Sequence, residues 1–118
     1  MKRQYTTLDR TECVFDLLEW ISQRDERPEE ISDSLSILAS ERRRHVLTIV
    51  DEHGEPLALA DVADEVAIRE SGRPLTELSA QRVARVYTSL YHDHLPRLQD
   101  AGLLEYDQNR DLVAPGWD

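Results

Sequence analysis

One stretch, Ser79 to Val113, constrains the fold more than any other. Val83, Val86, Tyr87, Leu90 and Tyr91 recur at helical spacing, and Leu95, Leu98 and Ala101 continue the stripe. Ser79 is the natural N-cap and Gly102 the stop. Pro96 denies the His92 carbonyl its amide donor and disfavours helical geometry at Leu95, so a kink is expected there rather than an end. After Gly102 come two strand-like runs, Leu103–Asp107 and Asp111–Val113. They flank the polar turn Gln108-Asn109-Arg110, where Asn109 tolerates left-handed backbone. Trp117, in the irregular tail, is expected to pack back onto the domain.

Upstream, Ser40 caps a helix that runs to Gly54 and places Val46, Leu47, Ile49 and Val50 on its core side. Pro56 and Leu57 predict a short edge strand. Leu59, Val62, Ala63, Val66 and Ala67 predict a second helix that stops at Gly72, and its alanines permit close approach by a neighbour. The connection RPLTEL follows, kept from becoming helical by Pro74. Helix, short strand, helix, turn, long helix and two strands make a mainly α fold with a small β-wing: a winged helix-turn-helix over residues 33–118.

Residues 1–32 form a separate N-terminal helix and linker in this reading. After a loose polar start at 1–8, a helix begins at Asp9, which pairs with Glu12 as a capping box. Val14, Leu17, Leu18 and Ile21 form its stripe, widened by Cys13 and Trp20. Cys13 is expected to be a small buried hydrophobe. So short a helix needs cover, either from the main domain or from the same helix of a second subunit. Residues 22–33, with Pro28, are expected to be a linker or solvated turn. Asp33 or Ser34 then caps a short turn that holds Leu35, Ile37 and Leu38.

The charge balance is uneven, with 24 acids against 14 bases and Lys2 as the sole lysine. An acidic surface with arginine in place of lysine resembles that of proteins from salt-loving archaea. At ordinary ionic strength a net charge of −10 opposes approach to nucleic acid. In molar salt the Debye length falls to about 3 Å, and that repulsion is screened. The local distribution of arginines therefore matters more than the total. No apolar run approaches the length of a membrane span, and the N-terminus lacks a signal-peptide core, so a cytoplasmic protein is expected.

The long helix turns Arg82, Arg85, Thr88, Ser89 and His92 away from its apolar stripe. Two guanidiniums, two hydroxyls and an imidazole suit phosphate oxygens and base edges in a major groove, although an ordinary polar surface has the same composition. Arg110 stands at the tip of the expected wing between Asp107 and Asp111, which partly neutralise it. Arg42, Arg43 and Arg44 form the one basic run. They point about 100° apart, which fits a solvated face with local salt bridges, or phosphate contact by one or two of them. His92 and His94 are two residues apart on a helix and make a poor chelating pair. No nucleophile elbow, phosphate-binding glycine loop or zinc spacing is present in the sequence, so neither an enzyme nor a bound cofactor or metal is expected.

The run HDHLPRLQDAGLLEYD resembles the end of the recognition helix and the start of the wing in ArsR-like winged-helix regulators. It carries His94, Leu95, Leu98, Ala101, Gly102 and Leu103 at that group's positions, and departs from it at Asp93 and Pro96. Together with LSILASERRRHVL it looks more closely like a haloarchaeal winged-helix domain family of unassigned function, over residues 33–113. The resemblance puts DNA-facing positions at Thr88, Ser89 and His92. It implies a transcriptional regulator that reads double-stranded DNA, with a homodimer as the expected assembly. The alternative is a winged-helix protein-interaction module without direct DNA binding, with a protein partner held by the N-terminal helix.

Overall fold

The computed structural model describes residues 9–117. The start at 1–8 and the Asp9 side chain of the expected capping box lie outside the described residues. The chain divides into two compact units, one ending at Leu35 and one beginning at Ser36; the sequence suggested a division between residues 32 and 33.

Two helices open the chain, α1 (Asp9–Ser22) and α2 (Pro28–Leu38). The second corrects the expected linker. Pro28 occupies the first helical position, where a missing N–H costs nothing and the fixed φ is already helical. Glu29 and Glu30 complement the helix dipole in the first turn. Ser34 is therefore no cap: it lies inside the helix, and its hydroxyl donates to the Glu30 carbonyl at 2.8 Å. Cys13 is exposed, against the expected burial. Val14, Phe15, Leu17, Leu18 and Trp20 of α1 are exposed as well, so the first unit by itself leaves this stripe uncovered.

The second unit is mainly helical with a small antiparallel sheet, a winged-helix-like arrangement. Helix α3 (Glu41–His53) starts where the Ser40 hydroxyl accepts from the Arg43 amide, and ends at Gly54 with φ +66°. Strand β1 (Leu57–Ala58) leads directly into α4 (Leu59–Ser71), which ends at Gly72 with φ +69°. A 3-10 turn at Leu75–Glu77 follows Pro74, so the connection is more ordered than its proline suggested. Helix α5 (Ala80–Ser89) is capped by the Ser79 hydroxyl.

Helix α5 does not simply kink. A π-helical turn at Leu90–His94 joins it to α6 (Leu95–Asp100), and the Leu95 amide bonds back to the Leu90 carbonyl. In a regular α-helix a proline ring clashes with the carbonyl four residues back, so a wider turn suits the residues before Pro96. Leu90, His94 and Leu95 are all buried at this turn. Helix α6 ends one residue short of Ala101, which lies in the turn and is exposed rather than part of the core stripe.

Strands β2 (Leu104–Asp107) and β3 (Leu112–Pro115) form the wing hairpin, and β3 also pairs with β1, giving the order β1-β3-β2. Leu57 faces Val113, and Leu104 faces Pro115. The left-handed residue of the hairpin is Asp111, at φ +56°, not Asn109. Asn109 and Arg110 instead donate their amides to Asp107 Oδ1 at 3.0 and 3.2 Å, which moves the reversal one step along. Gly116 packs so closely that an added Cβ would lie 2.8 Å from the Leu103 carbonyl carbon. The core collects Val46, Ile49 and Val50 of α3, the α4 face from Leu59 to Ala67, and Val86, Leu90, Leu95, Leu98, Leu104 and Val113. Trp117 remains 41% exposed beside a shallow recess shared with Leu47 and Leu103.

Candidate nucleic-acid interface

The basic run of α3 is committed to structure. Arg42 reaches Glu70 of α4 with Nε to Oε2 at 2.6 Å and Nη2 to Oε1 at 2.7 Å. These hydrogen bonds hold the Glu70 carboxyl below its ordinary value. Arg43 donates to the Ile37 and Ser36 carbonyls at 2.8 and 3.1 Å, and Arg44 to the Leu38 carbonyl at 2.5 Å. The last carbonyls of α2 lack intrahelical donors, and these two side chains supply them from the next helix. Arg42 and Arg43 are half-buried against these partners, whereas Arg44 is exposed and bonded through one nitrogen.

Other arginines of the second unit lie beside carboxylates, some closely and one at the edge of ion-pair distance. Arg69 pairs with Glu52 at 2.6 Å, Arg97 with Asp93 at 2.9 Å, and Arg110 lies 3.9 Å from Asp107. Among the described residues of this unit, Arg73, Arg82 and Arg85 are the arginines whose side chains make no hydrogen bond or ion pair. Two of them belong to α5 and the third to the connection before it. Arg73 was not singled out in the sequence, where nothing distinguishes a loop arginine with a partner from one without.

Around these side chains the sequence is unusual for so acidic a chain. From Leu78 to His92, fifteen consecutive residues contain no Asp or Glu, the longest such run in the chain. Arg82, Arg85, Thr88 and His92 are exposed and Ser89 half-buried, so helix phasing brings the five expected residues to one outward face. The Thr88 hydroxyl donates to the Ala84 carbonyl at 2.9 Å, and the residue is exposed. His92 stands edge-on to Tyr91, with ring centres 4.9 Å apart.

The wing is tied to this helix. Tyr106 and Tyr87 both donate hydroxyls to Asp111 Oδ1, the latter at 3.5 Å. Burial and then the Asp111 bond push the Tyr106 hydroxyl well above its ordinary range. The Asp111 carbonyl meanwhile accepts from the Leu59 amide at 3.1 Å. Gln108, at the start of the hairpin turn, donates to the Tyr91 hydroxyl at 2.8 Å. Arg110 projects from the same turn with its side chain 77% exposed.

The profile of a family described as Domain of unknown function (DUF7344) matches residues 35–114. The chain belongs to this family. No curated protein and no solved structure matches it. The matched DUF7344 segment contains α3 to β2 whole and reaches Ala114 within β3, so it includes the α5 face and the wing turn but not α1.

His92 and His94 part company as helix geometry requires: His92 is exposed and His94 buried. Arg43 Nη1 donates to His94 Nδ1 at 3.3 Å. A guanidinium only donates, so Nδ1 is the acceptor and the ring proton sits on Nε2. Burial pushes the His94 imidazole below its ordinary value. Asp93 opposes that shift, and Arg43, Arg42 and Arg97 reinforce it. His94 is thus a structural neighbour of the DUF7344 face and not one of its contacts.

Proposed function

We propose that this domain is a duplex-DNA-binding regulator of the ArsR-like winged-helix kind, related to the haloarchaeal domains it resembles and working inside the cell. Helix α5 and the π-helical turn after it enter the major groove with Arg82, Arg85, Thr88, Ser89 and His92 toward the bases and flanking phosphates. Arg110 at the wing turn and Arg73 before α5 touch backbone phosphate. One observation carries the reading: within its longest acid-free run, an acidic chain places two unpaired arginines on an exposed helix face. An arginine without a carboxylate partner contributes little to stability where it stands, whereas phosphate supplies the partner it lacks.

The test begins with a genome-wide crosslinking map of the tagged protein to find the sites. Anisotropy titration in high-salt buffer on those duplexes then compares the wild type with an Arg82→Ala/Arg85→Ala variant. Arg85→Ala alone weakens binding by about 1–3 kcal/mol if it reads a base. Unchanged affinity in the double variant overturns the assignment.

A second reading has its own observation. Phe15 is 63% exposed and Trp20 51% exposed on α1, beside Val14, Leu17 and Leu18. A helix this short with so apolar a surface needs a covering partner. Homodimerisation through α1 complements DNA binding, since paired winged helices read paired half-sites. Capture of another protein by α1 without DNA contact is the competing module. Crosslinking enrichment that depends on a partner protein, with no duplex affinity of the pure chain, would select the latter.

A further inference from the structure

Between α4, the 3-10 turn and α5 lies a recess of about 450 Å³, within the range of roughly 300–1,000 Å³ typical of small-ligand sites. Its walls are aliphatic and aromatic: Ala60 and Ala63 of α4, Leu75 and Leu78 of the connection, Val83 and Tyr87 of α5. One charged group lines it, the Asp64 carboxylate. Asp64 is half-buried, and among the described residues its side chain has no hydrogen bond and no ion pair. Burial, reinforced by the charge of Asp61, raises its carboxyl above the ordinary value. Every other half-buried acid in the helices of this unit is matched: Glu70 by Arg42 and Glu65 by His53. An unmatched carboxylate on an apolar wall does nothing for the fold, because removing it from water without a donor costs free energy.

We propose that this recess binds a small organic ammonium compound with an apolar or aromatic body. The ammonium pairs with Asp64, and the body lies against Ala63, Leu75, Val83 and the Tyr87 ring. Charge complementarity selects this occupant: a neutral ligand leaves the carboxylate unmatched, and an anion is repelled by both Asp64 and Asp61. Tyr87 gives the site its consequence. Its hydroxyl reaches Asp111 at 3.5 Å, so an occupant that moves the ring acts on the residue that seats the wing. The site is independent of whether the wing touches DNA.

The probe is phenethylamine, protonated at neutral pH, with 2-phenylethanol as its neutral counterpart. Both are titrated into the full chain and followed by amide NMR shifts at fixed salt. Saturable shifts are expected at Ala63, Asp64, Val83 and Tyr87, extending to Asp111 and Leu112. The amine should bind more tightly than the alcohol. Asp64→Asn should weaken the amine about tenfold, the loss of one charge-assisted contact, and leave the alcohol unchanged. Amine and alcohol binding equally to the wild type overturns the proposal, without reliance on any variant. So does an amine that fails to saturate, or whose shifts map outside the recess.

Discussion

The Arg42 guanidinium holds the Glu70 carboxylate in a two-point grip, 2.6 and 2.7 Å long, that locks the start of α3 to the end of α4. Each partner is mostly shielded, with side-chain exposures of 30% and 15%. Arg82 contributes a further positive field at the same carboxylate. Glu70→Gln should therefore destabilise the fold by about 1–3 kcal/mol, because it leaves Arg42 without its counter-charge. Urea unfolding at neutral pH measures the loss. The pH sense follows from the lowered carboxyl. Glu70 contributes its full stabilisation above the ordinary value of 4.5, and the contribution is lost as pH falls through the lower folded value. The Gln variant should show a shallower acid limb than the wild type.

His94 titrates with the same sense at higher pH. Its imidazole is held neutral, below the ordinary 6.5, while the unfolded chain binds a proton near that value. Stability from this residue is complete above about 6.5 and falls as the pH drops below it. Thermal melts between pH 7.5 and 5 should show a loss that His94→Gln removes. Persistence of the same slope in the variant assigns it to another group.

Arg73 offers a test of the backbone contact that does not depend on base reading. If it meets a phosphate, Arg73→Ala should weaken binding uniformly across sequences and lower the slope of log K against log salt by about 1. An unaltered slope places Arg73 outside the interface.

Gly116 is constrained by crowding and not by its φ. A methyl there meets the Leu103 carbonyl carbon at 2.8 Å and the Leu104 nitrogen at 2.9 Å, both backbone atoms that cannot step aside. Gly116→Ala should cost about 1–3 kcal/mol, as overpacking does, and its effect should concentrate in the β2–β3 hairpin. Hydrogen exchange at Glu105 and Val113 locates it.

Cys13 provides a ready probe of the α1 surface. A bifunctional thiol reagent should link two copies at Cys13 if α1 covers itself with a second α1. Leu17→Glu with Leu18→Glu should abolish both the crosslink and the dimer mass in light scattering. A monomeric mass for the wild type removes the dimer reading.

What could be read beforehand was local. Ser40, Gly54, Gly72 and Ser79 act on amides within a few residues, so the ends of α3 and α4 and the start of α5 were legible from them. The α4 stripe needed only helical spacing, and all five of its expected residues are buried. Misses came where a distant group decided the outcome. Arg42 to Arg44 read as a surface run because their partners, Glu70 and the end of α2, are set by packing. Pro28 read as a breaker although a first-turn position suits it. The five-residue α5 face was identifiable by phasing, but which arginines would remain unpaired required knowing where every acid lies.

The strand order carries a consequence for how the chain acquires its shape. Strand β1, two residues long, has no partner until β3 arrives, and Leu57 and Val113 are separated by more than half of the matched segment. The Leu59 amide at the head of α4 waits for the same segment, through Asp111. Closing so long a loop is entropically slow, so helices α3 to α6 can gather early while the sheet sets late. A nascent chain cut before Val113 would hold its helices against an incomplete core. Synthesis through the wing thus becomes the event that commits the domain to its final form.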